Sequence, residues 1–238
     1  MGRYEAILFD MDGTLVPMDM GEFTNGYFKD LYKKVSEAGI KIEADAFVAA
    51  VWGGTKAMVL NDGSRKNRDA FWEKFEEMTG LSAEIVDKQC LDFYTHEFVD
   101  AKRFTKDNPL AKEAVRLAHE KADKVALATN PLFPMAGQIT RLGWIDLKPS
   151  DFCLVTSYEE DCYCKPNPMY FASVCERIGV KPENCLMIGN DENEDMYAAG
   201  KLNMDCYLVT DTMIPSKDHP FNGKRGSFSE LCEFLRSL

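Results

Sequence analysis

The sequence predicts an α/β fold, a parallel sheet with helices on both faces, interrupted near its start by an all-helical insert. Three observations carry this expectation. Apolar runs alternate with helical segments from Pro109 onward, the stretch from Met20 to Val99 shows helical periodicity alone, and four apolar runs end in polar clusters. Strict alternation favours a parallel sheet covered on both faces. In such sheets the polar loops at the carboxyl ends of the strands build the site.

Taken in order, Tyr4 to Asp10 is a short apolar run stopping at polar residues and Gly13, which reads as a buried strand entering a loop. Helical spacing then appears at Phe28, Leu31, Tyr32 and Val35, at Phe47, Val48 and Val51, at Phe71, Trp72 and Phe75, and at Ile85, Val86, Cys90 and Phe93. Gly39, Gly53-Gly54, Asn61 to Ser64 and Gly80 punctuate these helices. Such a run is expected to be an insert with its own small core. The expected division is residues 1–17 and 104–238 for the α/β part and 18–103 for the helical insert.

Beyond Pro109, Leu110 to Ala122 reads as a helix, Val125 to Thr129 as a strand and Met135 to Leu142 as a helix. Phe152 to Thr156 then reads as a strand, Pro168 to Ile178 as a helix and Cys185 to Ile188 as a strand. A helix from Asp195 to Leu202, a strand from Cys206 to Val209 and a helix near Phe228 to Leu235 close the chain.

The 238 residues suffice for one sizeable domain carrying an insert, and 45% apolar with 28% charged residues is ordinary globular composition. A net charge of −11 repels polyphosphate backbones, so neither nucleic acid nor an anionic membrane is an expected partner. A small phosphorylated substrate would be repelled as well, unless a cation reverses the field locally. The eight cysteines include no Cys-x-x-Cys pair, and Cys162 with Cys164 lacks partners at zinc-ligand spacing. Buried free thiols in a reducing compartment are expected. With no signal segment and no membrane-length apolar run, the expected location is cytoplasmic. No dinucleotide or P-loop glycine pattern is present.

The four clusters are Asp10-Met11-Asp12-Gly13-Thr14, Thr129-Asn130-Pro131, Lys165-Pro166-Asn167-Pro168, and Gly189-Asn190-Asp191-Glu192-Asn193-Glu194-Asp195. Singly, each has a plain explanation: a turn, a turn start, a solvated lysine, an acidic helix start. If the strand ends converge, however, Asp10, Asp12, Asp191 and Asp195 crowd together and Lys165 balances only one of them. Two charges about 4 Å apart repel by roughly 4 kcal/mol at an effective dielectric of about 20. Either the carboxylates protonate or a hard divalent cation neutralises them, and Mg²⁺ suits a site of few carboxylates with room for water and a phosphate oxygen.

The order Asp-x-Asp-Gly-Thr, strand-end Thr, Lys-Pro and an acidic Gly-Asn-Asp…Asp loop resembles the haloacid dehalogenase superfamily of aspartate-nucleophile hydrolases, over Tyr4 to Leu15 and Ala118 to Val209. The resemblance implies a Rossmann-like core in which the helical insert is a cap. It implies Asp10 as nucleophile on phosphorus, Asp12 as acid then base, Thr129 and Asn130 binding the phosphoryl group, and Lys165 balancing its charge. Mg²⁺ would sit among Asp10, the Asp12 carbonyl and the fourth loop. That loop departs from the usual pattern by placing Asn190 where the first metal carboxylate falls, so Asp191 is expected to reach the metal, Asp195 to bind through water or orient Lys165, and Asn190 to be the alternative ligand.

The resemblance further implies phosphoryl transfer from oxygen rather than dehalogenation, since dehalogenating members of that family lack an aspartate at the position of Asp12. The expectation is a Mg²⁺-dependent phosphomonoester hydrolase acting on a small metabolite. A phosphomutase or phosphotransferase, and a non-catalytic regulatory descendant, are the alternatives. Lys56, Arg65 and Lys66, beside Trp52 and the Gly53-Gly54 turn, are candidates for the substrate's far end, and His96, His119 and His219 receive no role.

Overall fold

A computed structural model describes residues 4–238. Its sheet is six-stranded in the order β3-β2-β1-β4-β5-β6, every neighbouring pair parallel. The strands are β1 Tyr4–Phe9, β2 Ala122–Leu127, β3 Leu154–Val155, β4 Cys185–Gly189, β5 Asp205–Val209 and β6 Lys224–Gly226. β1 is central, which is why all of it but Glu5 is buried and its apolar run is nearly unbroken. The chain adds β2 and β3 on one side of β1, then crosses to add β4 on the other. This reversal makes the carboxyl ends of β1 and β4 a switch point, the usual place for a ligand in such sheets.

Register fixes what meets there. Phe9 is level with both Leu127 and Ile188, so Asp10, Ala128 and Gly189 lie one step past the paired residues. The Asp10 N–H donates to Ile188 O at 2.9 Å and the Ala128 N–H to Phe9 O at 2.7 Å, carrying the ladder up to the loops.

The helices outside the insert are α5 Ala111–Lys121, α6 Met135–Gly143, α7 Pro168–Ile178, the short α8 Ala198–Gly200 and, after the last strand, α9 Phe228–Ser237. The insert holds α1 Met20–Glu37, α2 Ala44–Val59, α3 Asn67–Thr79 and α4 Ala83–Thr95, followed by a 3₁₀ segment, Glu97–Phe104. Asp19 caps α1 by accepting from the Glu22 N–H at 2.8 Å, and Phe23, Tyr27, Phe28, Leu31 and Val35 form its buried stripe.

The insert differs from expectation in sharing its core. One apolar cluster runs from its helices to the sheet, joined by Phe98, whose ring lies 6.3 Å from Phe23, 6.0 Å from Phe133 and 5.4 Å from Trp144. Full burial of such a ring contributes about 1.5–3 kcal/mol. The fully buried Asn67 adds a polar tie: its N–H donates to Asp161 O at 2.9 Å and its Nδ2 reaches Tyr163 O at 3.4 Å. The insert therefore grips the loop leading to Lys165.

Four other elements depart from the sequence reading, among them β3, which spans only Leu154–Val155 of the expected Phe152 to Thr156. β2 starts at Ala122 directly after α5 and ends before Thr129, leaving that residue in the loop. β6 was not expected, because its three residues are short and charged at the sheet edge. The expected helix from Asp195 instead opens as a π-helix, Glu192–Tyr197. There the Asp191 carbonyl accepts from both Asp195 N–H and Met196 N–H at 3.1 Å, and such single π turns often mark functional sites.

Candidate active site

The first two clusters and the acidic loop after β4 line a cavity of about 180 Å³ through Asp10, Asp12, Thr129, Asn130, Asn190, Asp191, Glu194 and Asp195, with Met20, Leu132, Phe133 and Ile214 as its apolar lining. A larger cleft of about 610 Å³ beside Tyr197, Lys201 and Phe221 holds none of these acidic groups. Lys165 lies beneath the floor, fully buried, its Nζ 2.9 Å from Asp10 Oδ1 and 2.6 Å from Asp195 Oδ1. Burial works against this ammonium, but Asp10 and Asp195 outweigh it and hold the group well above an ordinary lysine.

The loop after β1 is shaped by Gly13, whose φ of +87° suits glycine and whose missing Cβ leaves room for the Asn190 side chain. Thr14 Oγ1 lies 3.1 Å from Asp10 Oδ2 and 3.1 Å from Asn190 Oδ1. Asn190 Nδ2 donates to Thr212 O at 2.8 Å. Asn190 is thus a brace between loops, its amide tied to Thr212 and its oxygen sharing the Thr14 hydroxyl with Asp10.

In the fourth loop, Asp191 Oδ1 accepts from the N–H groups of Asn193 at 2.7 Å and Glu194 at 2.8 Å, which leaves Oδ2 outside these bonds. Asp195 turns back, its Oδ2 accepting from the N–H groups of Asn190 and Asp191 at 3.1 Å while Oδ1 holds Lys165. Both of its oxygens are occupied in orienting Lys165 and the loop. Asn130, expected to touch substrate, uses its side chain to bond Glu194 Oε2 at 2.9 Å and to accept from the Lys165 N–H at 3.2 Å.

Thr129 is held by its carbonyl, which accepts from Thr156 Oγ1 at 2.6 Å and Tyr170 OH at 2.8 Å. Its own Oγ1 is buried without a partner, and so is Asp12 Oδ1. The other Asp12 oxygen pairs with Arg141 on α6. Burial raises the Asp12 carboxyl above the usual range, although Arg141 pulls the other way.

Arg141 is the site residue that the sequence reading missed. The available signal was polar Gln138 and Arg141, one helical turn apart, on the otherwise apolar buried face of α6. The insert candidates, in contrast, do not line the cavity. Arg65 pairs with Glu73, the Lys66 Nζ donates to Glu160 O at 2.6 Å, Lys56 is exposed, and Trp52 packs half-exposed on Phe28 at 5.4 Å.

Five carboxylates, Asp10, Asp12, Asp191, Glu194 and Asp195, face two cations, Lys165 and Arg141. Burial pushes Glu194 up to about 8 and raises the Asp195 carboxyl as well, in each case against the pull of Lys165. A group whose native pKa lies above its unfolded value binds more protons when folded, and stability falls as pH rises between the two values. The prediction is that in chelator the melting temperature declines from about pH 4.5 toward pH 8, and that a divalent cation raises it most at the alkaline end. Thermal scans at pH 6 and 8.5, with and without Mg²⁺, check this; a chelator curve flat across that range contradicts it.

The donor set suits a hard cation. Among the described residues no three carboxylates of this site gather within 4.8 Å, so a bound ion would draw on one or two of them with main-chain oxygen and water. The exposed trio that does gather, Asp92, His96 and Glu97, is bridged by Lys34, which pairs with Asp92 and Glu97.

A carboxylate held against a buried lysine thus lies at the switch point of a parallel sheet, beside a helical insert. The chain belongs to the haloacid dehalogenase-like hydrolases, whose family model matches residues 4–203. A Bacillus subtilis (strain 168) protein named as a phosphatase, YhcW, is 21% identical over 206 residues, 86% of this chain and 83% of its own length. The glyceraldehyde 3-phosphate phosphatase of Methanothermobacter thermautotrophicus is 35% identical over 66 residues, 27% of this chain and 29% of its own length. The crystal structure of the Bacillus subtilis hydrolase YfnB bound to magnesium aligns with a TM-score of 0.60 at 19% identity, covering 98% of this chain and 99% of that one. Among the described residues no helix is long and apolar enough to cross a membrane.

Proposed function

We propose that this chain hydrolyses small phosphate monoesters with Mg²⁺, through an aspartyl-phosphate formed on Asp10. The observation that supports this best is the pair of buried, unpartnered atoms, Asp12 Oδ1 and Thr129 Oγ1, in the residues lining the cavity that holds Asp10. Buried polar groups are nearly always bonded, so two left open beside one carboxylate suit a ligand that bonds both. A phosphate monoester does so: a non-bridging oxygen accepts from Thr129 and the bridging oxygen takes a proton from Asp12.

In this reading the Asp10 carboxylate attacks phosphorus while the bond from phosphorus to the bridging oxygen breaks. The departing oxygen takes the Asp12 proton and leaves as the alcohol, and burial of Asp12 favours the protonated form this step needs. A water then gives its proton to the Asp12 carboxylate as its oxygen attacks phosphorus. The Asp10–phosphorus bond opens, releasing phosphate and restoring both carboxyls. Lys165, fixed by Asp195, balances charge on Asp10 and the phosphoryl oxygens throughout. Asp10, the Asp12 carbonyl and Asp191 would hold Mg²⁺, which when bound neutralises the carboxylates and the phosphoryl group. Two relatives named as phosphatases are in keeping with this chemistry. A cytoplasmic location is in keeping with eight free cysteines.

Phosphate release from p-nitrophenyl phosphate and a panel of phosphorylated metabolites tests the reading. Release that needs Mg²⁺, stops in chelator and equals the alcohol formed is the expected result; formation of alcohol without stoichiometric phosphate would favour transfer to another acceptor. Silence across the panel with Mg²⁺ present contradicts it. Within the fourth loop, Asp191→Ala is expected to raise the Mg²⁺ concentration for half-activity by about 10- to 100-fold, far more than Asn190→Ala, because Asp191 offers a charged oxygen outside its loop bonds whereas Asn190 is a neutral amide tied to Thr212. Mg²⁺ titrations of the two variants check the ranking, and the reverse order overturns this ligand assignment.

A further inference from the structure

Arg141 sits on α6, outside the four clusters that announce the site, yet its side chain is fully buried and its guanidinium pairs with Asp12. Its position is over-determined. The guanidinium lies 4.0 Å from the centre of the Phe133 ring, one Nη donates to Asp12 Oδ2 and the other to Gln138 Oε1, and Nε reaches Gly137 O at 3.4 Å. Gln138 is fixed in turn, its Nε2 donating to Thr156 O at 3.0 Å. The same Thr156 places its hydroxyl on Thr129 O.

One continuous chain of bonds therefore joins the two groups that carry the open atoms: Asp12, Arg141, Gln138, Thr156, Thr129. A carboxylate has two equivalent oxygens and a soft terminal torsion, so a lone Asp12 would present either oxygen at varied angles. Arg141 removes that freedom, since it occupies Oδ2 and leaves only Oδ1 open. A planar guanidinium can do this because its fork engages two partners in one plane, which a lysine ammonium does not.

We propose that Arg141 is a positioning residue that aims Asp12 Oδ1 at the leaving oxygen and later at the attacking water, in step with the Thr129 hydroxyl. The proposal rests on the phosphomonoesterase reading above. It has a kinetic signature that a merely structural role lacks. Protonation of the leaving oxygen matters little for nitrophenolate, a good leaving group, and greatly for an alkoxide, and general acid catalysis contributes about 10²- to 10⁴-fold.

The test compares wild type, Arg141→Lys and Arg141→Met on p-nitrophenyl phosphate and on an alkyl phosphate, with Mg²⁺. Arg141→Lys keeps the buried charge beside Asp12, whereas Arg141→Met leaves Asp12 without its counter-charge and risks the fold. In Arg141→Lys, kcat/KM is expected to fall less than about 10-fold for the aryl ester and about 100-fold or more for the alkyl ester. A burst of nitrophenol, close to one per site, should appear as water attack on the intermediate slows. In an Asp12→Asn background the same substitution should have little further effect on the alkyl ester, because the two residues act as one unit.

Equal losses on both esters without a burst, or full additivity with Asp12→Asn, overturn the positioning role while leaving the phosphatase reading in place. Wild type inactive on both esters, or undiminished turnover by Asp10→Asn, brings down the phosphatase reading itself and this proposal with it.

Discussion

Asp10→Asn is expected to lower turnover by on the order of 10⁴-fold or more, with the melting temperature within a few degrees of wild type. The amide is isosteric, so the ladder that places residue 10 beside Ala128 and Gly189 is unchanged. What is lost is the nucleophile, and a neutral amide oxygen does not replace it. The variant also lowers the negative charge around Lys165, which keeps Asp195 as its partner. Steady-state phosphate release and a thermal scan on the same sample check both halves. Turnover retained within about 10-fold would contradict the role assigned to Asp10.

Lys165→Met carries the second large effect, and it is one of stability as well as rate. The ammonium is fully buried between Asp10 and Asp195, and its removal leaves both facing each other without a counter-charge. Breaking a buried ion pair from one side typically costs about 3–5 kcal/mol. Denaturant unfolding in chelator is expected to show a loss of that size, and Mg²⁺ should restore more stability to the variant than it adds to wild type. Stability equal to wild type in chelator would mean that the carboxylates are already neutral there, and that Lys165 is no keystone of the charge balance.

Most of the residues that line the cavity were legible because they lie in clusters past strand ends, and a parallel sheet brings strand ends together whatever the loops between them do. Asp10, Asp12 and Thr129 line the cavity with Lys165 directly beneath Asp10. The fourth loop was harder, since its residue roles depend on a π turn that folds Asp195 back onto the N–H groups of Asn190 and Asp191. No linear spacing announces that geometry. Arg141 escaped notice because its tie to Asp12 spans distant parts of the chain and crosses no motif. Asn130 lines the cavity with its amide bonded to Glu194 and to the Lys165 N–H, whereas the insert's basic residues lie outside that lining. Periodicity likewise found the helices of the insert without showing that Phe98 merges their core with that of the sheet.

The central claim is that phosphorus becomes bonded to Asp10, and the most direct test is to trap it there. Wild type mixed with p-nitrophenyl phosphate and Mg²⁺ is quenched in acid within one turnover, digested, and its peptides weighed. One phosphoryl group is expected on the peptide containing Asp10, labile at alkaline pH and absent from Asp10→Asn. Rapid turnover with no phosphoryl group on that peptide at any quench time, or the adduct found on another residue and persisting in Asp10→Asn, would contradict it.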